Sequence, residues 1–314
     1  MKYAYDKGFK KVAFNIPFSG LVCKLSHKPQ EILLGMVKIP NDVSIRDFSI
    51  EGYHDDSIHV KEIVPENPSD IAILVLHGGG FGYKTSPHQL LNACEYATKL
   101  QCRAFLLDYH LLPDFPFPAA YEDAMAMYRY MVTHAKELAI HPEKIIVLGD
   151  SAGGTLAANV CNMAQSKGLP MPCCQVLIYP ATDNEMTTES MNQFPDTPMW
   201  NARNNKKLWN MYLKNATDEE INIAVPMKNP LPDILPPTYV ETAQFDCLHD
   251  EGLIYAKHIE MIAKNIVVND TKGTIHGYDI LLKHSISQEN MRKRIDFMKS
   301  IVIKGEMNVS NTVC

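Results

Sequence analysis

Several things are missing from this 314-residue sequence, and each absence removes a class of function. No apolar run approaches the roughly 20 residues that a membrane-spanning helix needs. The longest toward the middle of the chain is Ile71 to Leu76. Basic residues are not in excess: the formal net charge is -6 at pH 7, with no basic face for nucleic acid or anionic lipid to be expected. The eight cysteines form no C-x-x-C pair and are followed by no His at zinc-finger spacing, so a structural metal is not expected. They read instead as small buried residues or free thiols in a reducing compartment. The segment MKYAYDKGFKKVAFNIPFSG has neither a continuous apolar core nor an A-x-A cleavage site. Cys314 is the last residue rather than fourth from the end, so it makes no prenylation box. With no internal repeat or low-complexity tract either, the default compartment is the cytoplasm and the default molecule a globular domain.

The composition supports a globular core, with 46% hydrophobic and 21% charged residues. Short apolar runs alternate with longer helical patterns, the arrangement of a mostly parallel sheet with helices on both faces. Strands are expected at Ile58–Val64, Ile71–Leu76, Arg103–Asp108, Lys144–Gly149, Gln175–Tyr179, Thr238–Thr242 and Asn265–Val268. Helices are expected from Pro87 to about Leu100, over Ala119–Leu138, from the Ser151 turn to about Gln165, and over about Glu251–Lys264 and Gln288–Ile303. The polar end, Glu306–Cys314, reads as frayed. Two stretches break the alternation: residues 1–45, and the Asn-, Met- and Pro-rich residues 184–232. An insertion between strands of an open sheet usually lies over their carboxyl ends. Both stretches are therefore expected to form one small cap over a core of residues 46–183 and 233–314.

The strongest chemical signal is KIIVLGDSAGG, residues 144–154, which holds Gly149-x-Ser151-x-Gly153 directly after a strand and before a helix. A nucleophilic serine on a sharp strand-to-helix turn needs small neighbours two residues away, so that the backbones can approach. The following helix then aims its first amides at the place where negative charge develops. A second glycine cluster, His77-Gly78-Gly79-Gly80-Phe81-Gly82, follows the strand Ile71–Leu76. Its N–H groups, with the amide of Ala152, could serve an oxyanion. A phosphate could use such a loop as well. The Lys-Ser/Thr of a P-loop and the G-x-G-x-x-G spacing of a dinucleotide site are both absent, however.

Taken in order, the segments HGGGFGY, DYHLLPDFPFPAAYED, GDSAGG, YPATD, ETAQFDCLHDEG and HGY resemble the hormone-sensitive-lipase-like family of α/β-hydrolases, over residues 77–278. The resemblance implies an α/β-hydrolase fold and a carboxylesterase acting on short or medium acyl chains without a cofactor. It also implies a cap built from the N-terminal segment and an insertion. On the family's pattern the nucleophile is Ser151, the base His276 and the orienting acid Asp246, with oxyanion donors at the amides of Gly79, Gly80 and Ala152. The order serine, acid, histidine is the one that α/β-hydrolases use. Asp250 is the competing acid, although an N-cap role for a helix starting there explains it without chemistry. Asp150 is expected to be satisfied by loop amides, His77 to brace the glycine loop, and His249, His258 and His284 to have no function. The stretch 108–123 is expected to anchor sheet and helix beside the site. The aromatic and Met residues of 184–232 read as cap core, and none is assigned to substrate.

The same machinery could cleave amides or deacetylate sugars, which the triad residues cannot discriminate. A ligand receptor on this fold is disfavoured because His276 is retained. A lipase working at an oil–water interface is disfavoured because no strongly amphipathic lid with a large apolar face is evident in the sequence. The expected partner is a small soluble ester, with homodimerisation through sheet edges or cap helices left open.

Overall fold

The computed structural model describes residues 2–310, the side chains of 303–310 apart. One eight-stranded sheet organises them: β1 (Val43–Glu51), β2 (Ser57–Pro65), β3 (Ala72–Leu76), β4 (Arg103–Asp108), β5 (Ile145–Asp150), β6 (Cys174–Ile178), β7 (Thr238–Phe245) and β8 (Ile266–Ile275). In space the strands run β1-β2-β4-β3-β5-β6-β7-β8. β2 is antiparallel to both of its neighbours and every other pairing is parallel. The central strands β3 and β6 are buried at every position, which is why they read as unbroken apolar runs rather than alternating ones.

Nine helices connect and cover this sheet within the described residues: α1 (Gly20–Gly35), α2 (Pro87–Leu100), α3 (Ala119–Thr133), α4 (Ala152–Met163), α5 (Glu189–Gln193), α6 (Ala202–Tyr212), α7 (Asp218–Ala224), α8 (His249–Ile259) and α9 (Ser285–Ser310). Two apolar clusters result. Phe105, Met127, Leu156 and Tyr255 belong to one, and Tyr96, Leu106, Tyr239 and Met298 to the other. The start of α2 follows the sequence chemistry closely: Ser86 and Gln89 form a capping box, with Pro87 at the first helical position. The Leu100 end is closed by Gln101 in the left-handed region.

Four expectations need correction. β1 was not anticipated. It is an edge strand in which Ile45 packs toward one core cluster and Phe48 and Ile50 toward the other, with Arg46 and Asp47 both exposed between them, so neither an apolar run nor an unbroken two-residue period marks it. It starts at Val43, so the N-terminal stretch outside the sheet ends slightly before residue 45. β8 runs on to Ile275, well past Val268, because its later residues are polar and pair with β7 through a register shift between Ala243 and Phe245. Of the tail expected to be frayed, Glu306–Cys314, residues 306–310 continue α9, and 311–314 lie outside the described residues. α3 also ends early, at Thr133, where Thr133 Oγ1 turns back to donate to the Arg129 carbonyl (2.9 Å).

The stretches 1–45 and 184–232 meet across the carboxyl end of the sheet. The Met199 amide donates to the Phe14 carbonyl (2.8 Å), Asn204 Nδ2 to the Ile16 carbonyl (2.9 Å), and the Phe18 ring stands edge-on to Trp200. Seven cysteines fall within the described residues; all are free thiols, and only Cys173 is not buried. No helix of the described residues is long and apolar enough to cross a membrane.

Candidate active site

Ser151 sits between β5 and α4 with φ 55° and ψ -119°, a backbone conformation that costs energy for any residue with a side chain. The turn survives because the surrounding backbone leaves no other path. The Ser151 amide donates to the Ile178 carbonyl (2.9 Å), and the Thr155 amide returns to the Ser151 carbonyl. A Cβ on Gly149 would lie 2.0 Å from the Gly153 carbonyl oxygen, and one on Gly153 would lie 1.9 Å from the Leu76 carbonyl oxygen. Both glycines are thus demanded by close packing of the turn on β3 and on itself.

The other two predicted side chains arrive from the ends of later strands. Asp246 directly follows β7, and His276 directly follows β8. His276 Nε2 is 2.9 Å from Ser151 Oγ, and His276 Nδ1 is 2.6 Å from Asp246 Oδ2. The second carboxylate oxygen of Asp246 accepts the Leu248 amide at 3.0 Å. All three residues are buried, Asp246 completely. Together they make a hydrogen-bonded row from a serine hydroxyl to a dry carboxylate, able to move a proton from oxygen to imidazole.

Asp250 plays a different part from the one expected. α8 begins at His249 with Leu248 as N-cap, so Asp250 lies in the first turn rather than at the cap. Its carboxylate accepts the Ser190 amide at the start of α5 (2.8 Å) and pairs with His249 Nδ1 (2.7 Å), away from His276. His249 is therefore engaged with Asp250 and Asp270.

The glycine loop after β3 faces the serine. Gly79 and Gly80 have φ of 122° and 61°, conformations suited to glycine, and a Cβ on Gly80 would strike Trp200 and Phe18. Among the described residues, no acceptor of the chain takes the amides of Gly79, Gly80 or Ala152. His77 braces this loop through Nδ1 to the Gly78 carbonyl (2.8 Å) while stacking on Tyr109, and burial holds its imidazole below its usual pKa. Tyr109, from the 108–123 stretch, donates to the His77 carbonyl at 2.6 Å. Asp123 of the same stretch accepts the His110 and Tyr53 amides. Asp150 takes one loop amide, Gly78 N–H (3.0 Å), and one side chain, Gln89 Nε2 (2.8 Å). Burial pushes its carboxyl up to about 6, against the pull of those two donors.

A cavity of about 270 Å³ opens on this group. Gly79, Gly80, Ser151 and His276 line it; Ala152 and Asp246 stand behind the wall. A larger groove of about 590 Å³, between α2 and α9, is lined by none of the six. Met199 and Trp200 also line the smaller cavity, together with Phe14, Ile16 and Tyr179, although none of the 184–232 residues had been assigned to a pocket. Nothing in their spacing marks them. The remaining aromatic residues of that stretch do pack as core, with Tyr212 stacked on Phe81 at 3.9 Å.

Arg294 was missed as well. It lies fully buried on α9 and reaches Glu241 through Nε (3.1 Å) and Nη2, and Asp279 through Nη1 (2.9 Å). Tyr278 donates to Glu241 at 2.6 Å, and Tyr179 to Asp279 at 2.5 Å. Since Tyr278 and Asp279 follow His276-Gly277, this network fixes the turn that carries the imidazole. Tyr179 closes it from the other side, with its ring 4.7 Å from that of His276.

Comparisons with known proteins agree with this fold. A family model described as the α/β-hydrolase fold matches residues 73–280. Esterase LipI of Mycobacterium tuberculosis is 30% identical over 219 residues, 68% of this chain and 67% of LipI. Carboxylic ester hydrolase LipN of the same organism is 32% identical over 251 residues, 75% of this chain and 64% of LipN. The chain thus spans about two thirds of the length of these relatives. Among solved structures, a bacterial heroin esterase superposes with a TM-score of 0.82 at 28% identity, covering 91% of this chain and 94% of that one. With an eight-stranded hydrolase sheet, an aligned serine, histidine and aspartate, and this extent of similarity, the chain belongs to the hormone-sensitive-lipase-like family of α/β-hydrolase carboxylesterases.

Proposed function

We propose that Ser151 is the nucleophile of a serine-dependent ester hydrolase, with His276 as general base and Asp246 as its orienting acid. The observation that carries this reading is the unbroken row of short contacts, 2.9 Å and 2.6 Å, from Ser151 Oγ through His276 to Asp246. Ser151 Oγ attacks the ester carbonyl carbon as His276 Nε2 takes its proton. The amides of Gly79, Gly80 and Ala152 receive the developing oxyanion. His276 returns the proton to the departing alcohol, leaving an acyl group on Ser151. Water, deprotonated by His276, then attacks the acyl carbon, and the acid is released with Ser151 restored. Asp246 accepts from Nδ1–H throughout, which keeps Nε2 free to act as base and stabilises the imidazolium.

Residues 1–45 and 184–232 act as one cap, and Met199, Trp200, Phe14 and Ile16 give the cavity apolar walls. A volume of about 270 Å³ suits short to medium acyl chains. Hydrolysis of a p-nitrophenyl ester series from acetate to laurate, by wild type and Ser151→Ala in parallel, tests the reading. Turnover should be greatest on the shorter chains and fall on the order of 10⁴-fold or more in the variant, with its unfolding midpoint unchanged. Comparable turnover by both proteins would remove Ser151 from the mechanism.

A further inference from the structure

The N-terminal helix α1 packs on the core with one side and leaves an apolar side exposed. Its inner face closes on the glycine loop: Cys23 is buried against Gly82, His27 Nε2 lies 2.8 Å from the Gly82 carbonyl, and Gln30 Oε1 accepts the Lys84 amide (3.1 Å). Gln30 also lines the cavity. Its outer face carries Leu21, Leu25, Ile32 and Met36, spaced to fall on one side of the helix and 70%, 68%, 57% and 75% exposed. Leu33 and, at the cavity mouth, Phe14 are each 55% exposed too. The sequence shows no strongly amphipathic lid with a large apolar face, and this stripe is not singled out there.

The charge around this stripe is also different from that of the whole chain. Residues 1–40 hold seven lysines and only two acids, Asp6 and Glu31, in a protein whose net charge is -6. On α1 itself, Lys24 and Lys28 flank the stripe, and the nearby acids are already neutralised: Asp114 by Lys24 (2.8 Å) and Glu31 by Lys84 (3.1 Å). Lys28 on α1 and Lys38 just beyond it are exposed, and among the described residues neither has an acidic partner.

We infer that the outer face of α1 docks on an anionic lipid bilayer, with Leu21, Leu25 and Ile32 in the acyl boundary and the lysines at the headgroups. Exposed leucines flanked by lysines are the chemistry of an interfacial helix, and neither a neutral apolar partner nor an acidic protein surface alone complements both features. Because Gln30 of α1 and the exposed Phe14 both line the cavity, docking holds the cavity close to the membrane surface, where esters partitioned into lipid are concentrated. The binding step stands on α1 alone; its consequence for substrate supply rests on the reading of Ser151 given above.

Co-sedimentation with phosphatidylcholine vesicles, with and without phosphatidylserine, tests docking in the full chain, and p-nitrophenyl acetate hydrolysis in solution is read separately. Wild type and Ser151→Ala should bind the phosphatidylserine vesicles equally, and binding should weaken as salt is raised. The double variant Leu25→Glu/Ile32→Glu should lose about tenfold or more of that binding with acetate turnover and melting temperature unchanged. Wild type that fails to sediment, or that sediments equally without phosphatidylserine, overturns the inference. So does a double variant that binds lipid normally but changes from dimer to monomer in sedimentation equilibrium, since a second copy would then be what covers the stripe. Loss of acetate turnover in Ser151→Ala bears only on the catalytic reading, so the two can fail independently.

Discussion

The floor of the cavity and its roof are held by different physics. The floor is the carboxyl edge of the sheet, where Ser151, Asp246 and His276 emerge, buried, from β5, β7 and β8. There, backbone meets backbone: Gly149 and Gly153 touch neighbouring carbonyls at distances that no side chain tolerates. Over it, the stretches before β1 and at 184–232, proposed above as one cap, rest on aromatic edges such as Phe18 on Trp200, hydrogen bonds to the Phe14 and Ile16 carbonyls, and exposed ion pairs such as Lys2 with Asp196. Exposed pairs of this kind contribute about 0–1 kcal/mol each. The contrast teaches where precision is needed. Proton transfer requires positions fixed to fractions of an ångström, whereas a pocket wall only has to exclude water and present apolar surface.

Substitutions can break that contrast or sharpen it. The largest effect should come from Gly153→Ala, whose methyl group would overlap the Leu76 carbonyl. A loss of about 4 kcal/mol or more is expected, measured by denaturant unfolding, together with loss of ester turnover. Beneath the floor, Arg294→Met leaves Glu241 and Asp279 buried without their cation. This should cost about 3–5 kcal/mol and lower kcat through the loosened His276 turn, read from chemical unfolding and steady-state kinetics.

The next effect depends on pH. Burial raises the Asp150 carboxyl in the folded chain from 3.8 to about 6, so the folded state holds this proton more tightly than the unfolded state. Its stabilising contribution is fully present below about pH 4 and is lost as pH rises through about 6. Relative to Asp150→Asn, wild type should therefore lose up to a few kcal/mol across that window, seen as diverging melting temperatures. An opposite divergence would mean that the Gly78 and Gln89 hydrogen bonds outweigh burial. The smallest effect belongs to the roof. Nothing lies within 4 Å of a Cβ on Gly35, at the end of α1, so Gly35→Ala should be neutral or stabilise by about 0.5–1 kcal/mol. A glycine-to-alanine change thus spans both signs between floor and roof.

The two regions also differed in how far they could be read in advance. Floor residues carry local chemical requirements, and these leave a trace in neighbouring letters. A sharp turn writes Gly-x-Ser-x-Gly, an amide-presenting loop writes a glycine run, and a buried central strand writes an apolar run. Membership of Asp246 and His276 in the same group came through family resemblance, and the structure brings both to Ser151. Met199 and Trp200 left no such trace, because a pocket wall needs only bulk and apolarity, which core residues supply equally. Arg294 looked like one more basic residue on a helix, since nothing in adjacent positions records the carboxylates that it meets from β7 and the turn after β8. β1 was hidden for a related reason: an edge strand half-exposed to water has no apolar run to announce it.

By itself the sequence determined the strand-and-helix alternation, the serine turn and the glycine loop, because each follows from interactions among residues within a few positions of one another. Only the tertiary structure decided that Asp250 turns toward Ser190, that Arg294 lies between two carboxylates, and that one face of α1 remains uncovered. Those outcomes depend on which distant segments share the same space. Burial, and with it the strength of every charge and every apolar surface, is settled by that packing rather than by any local run of residues.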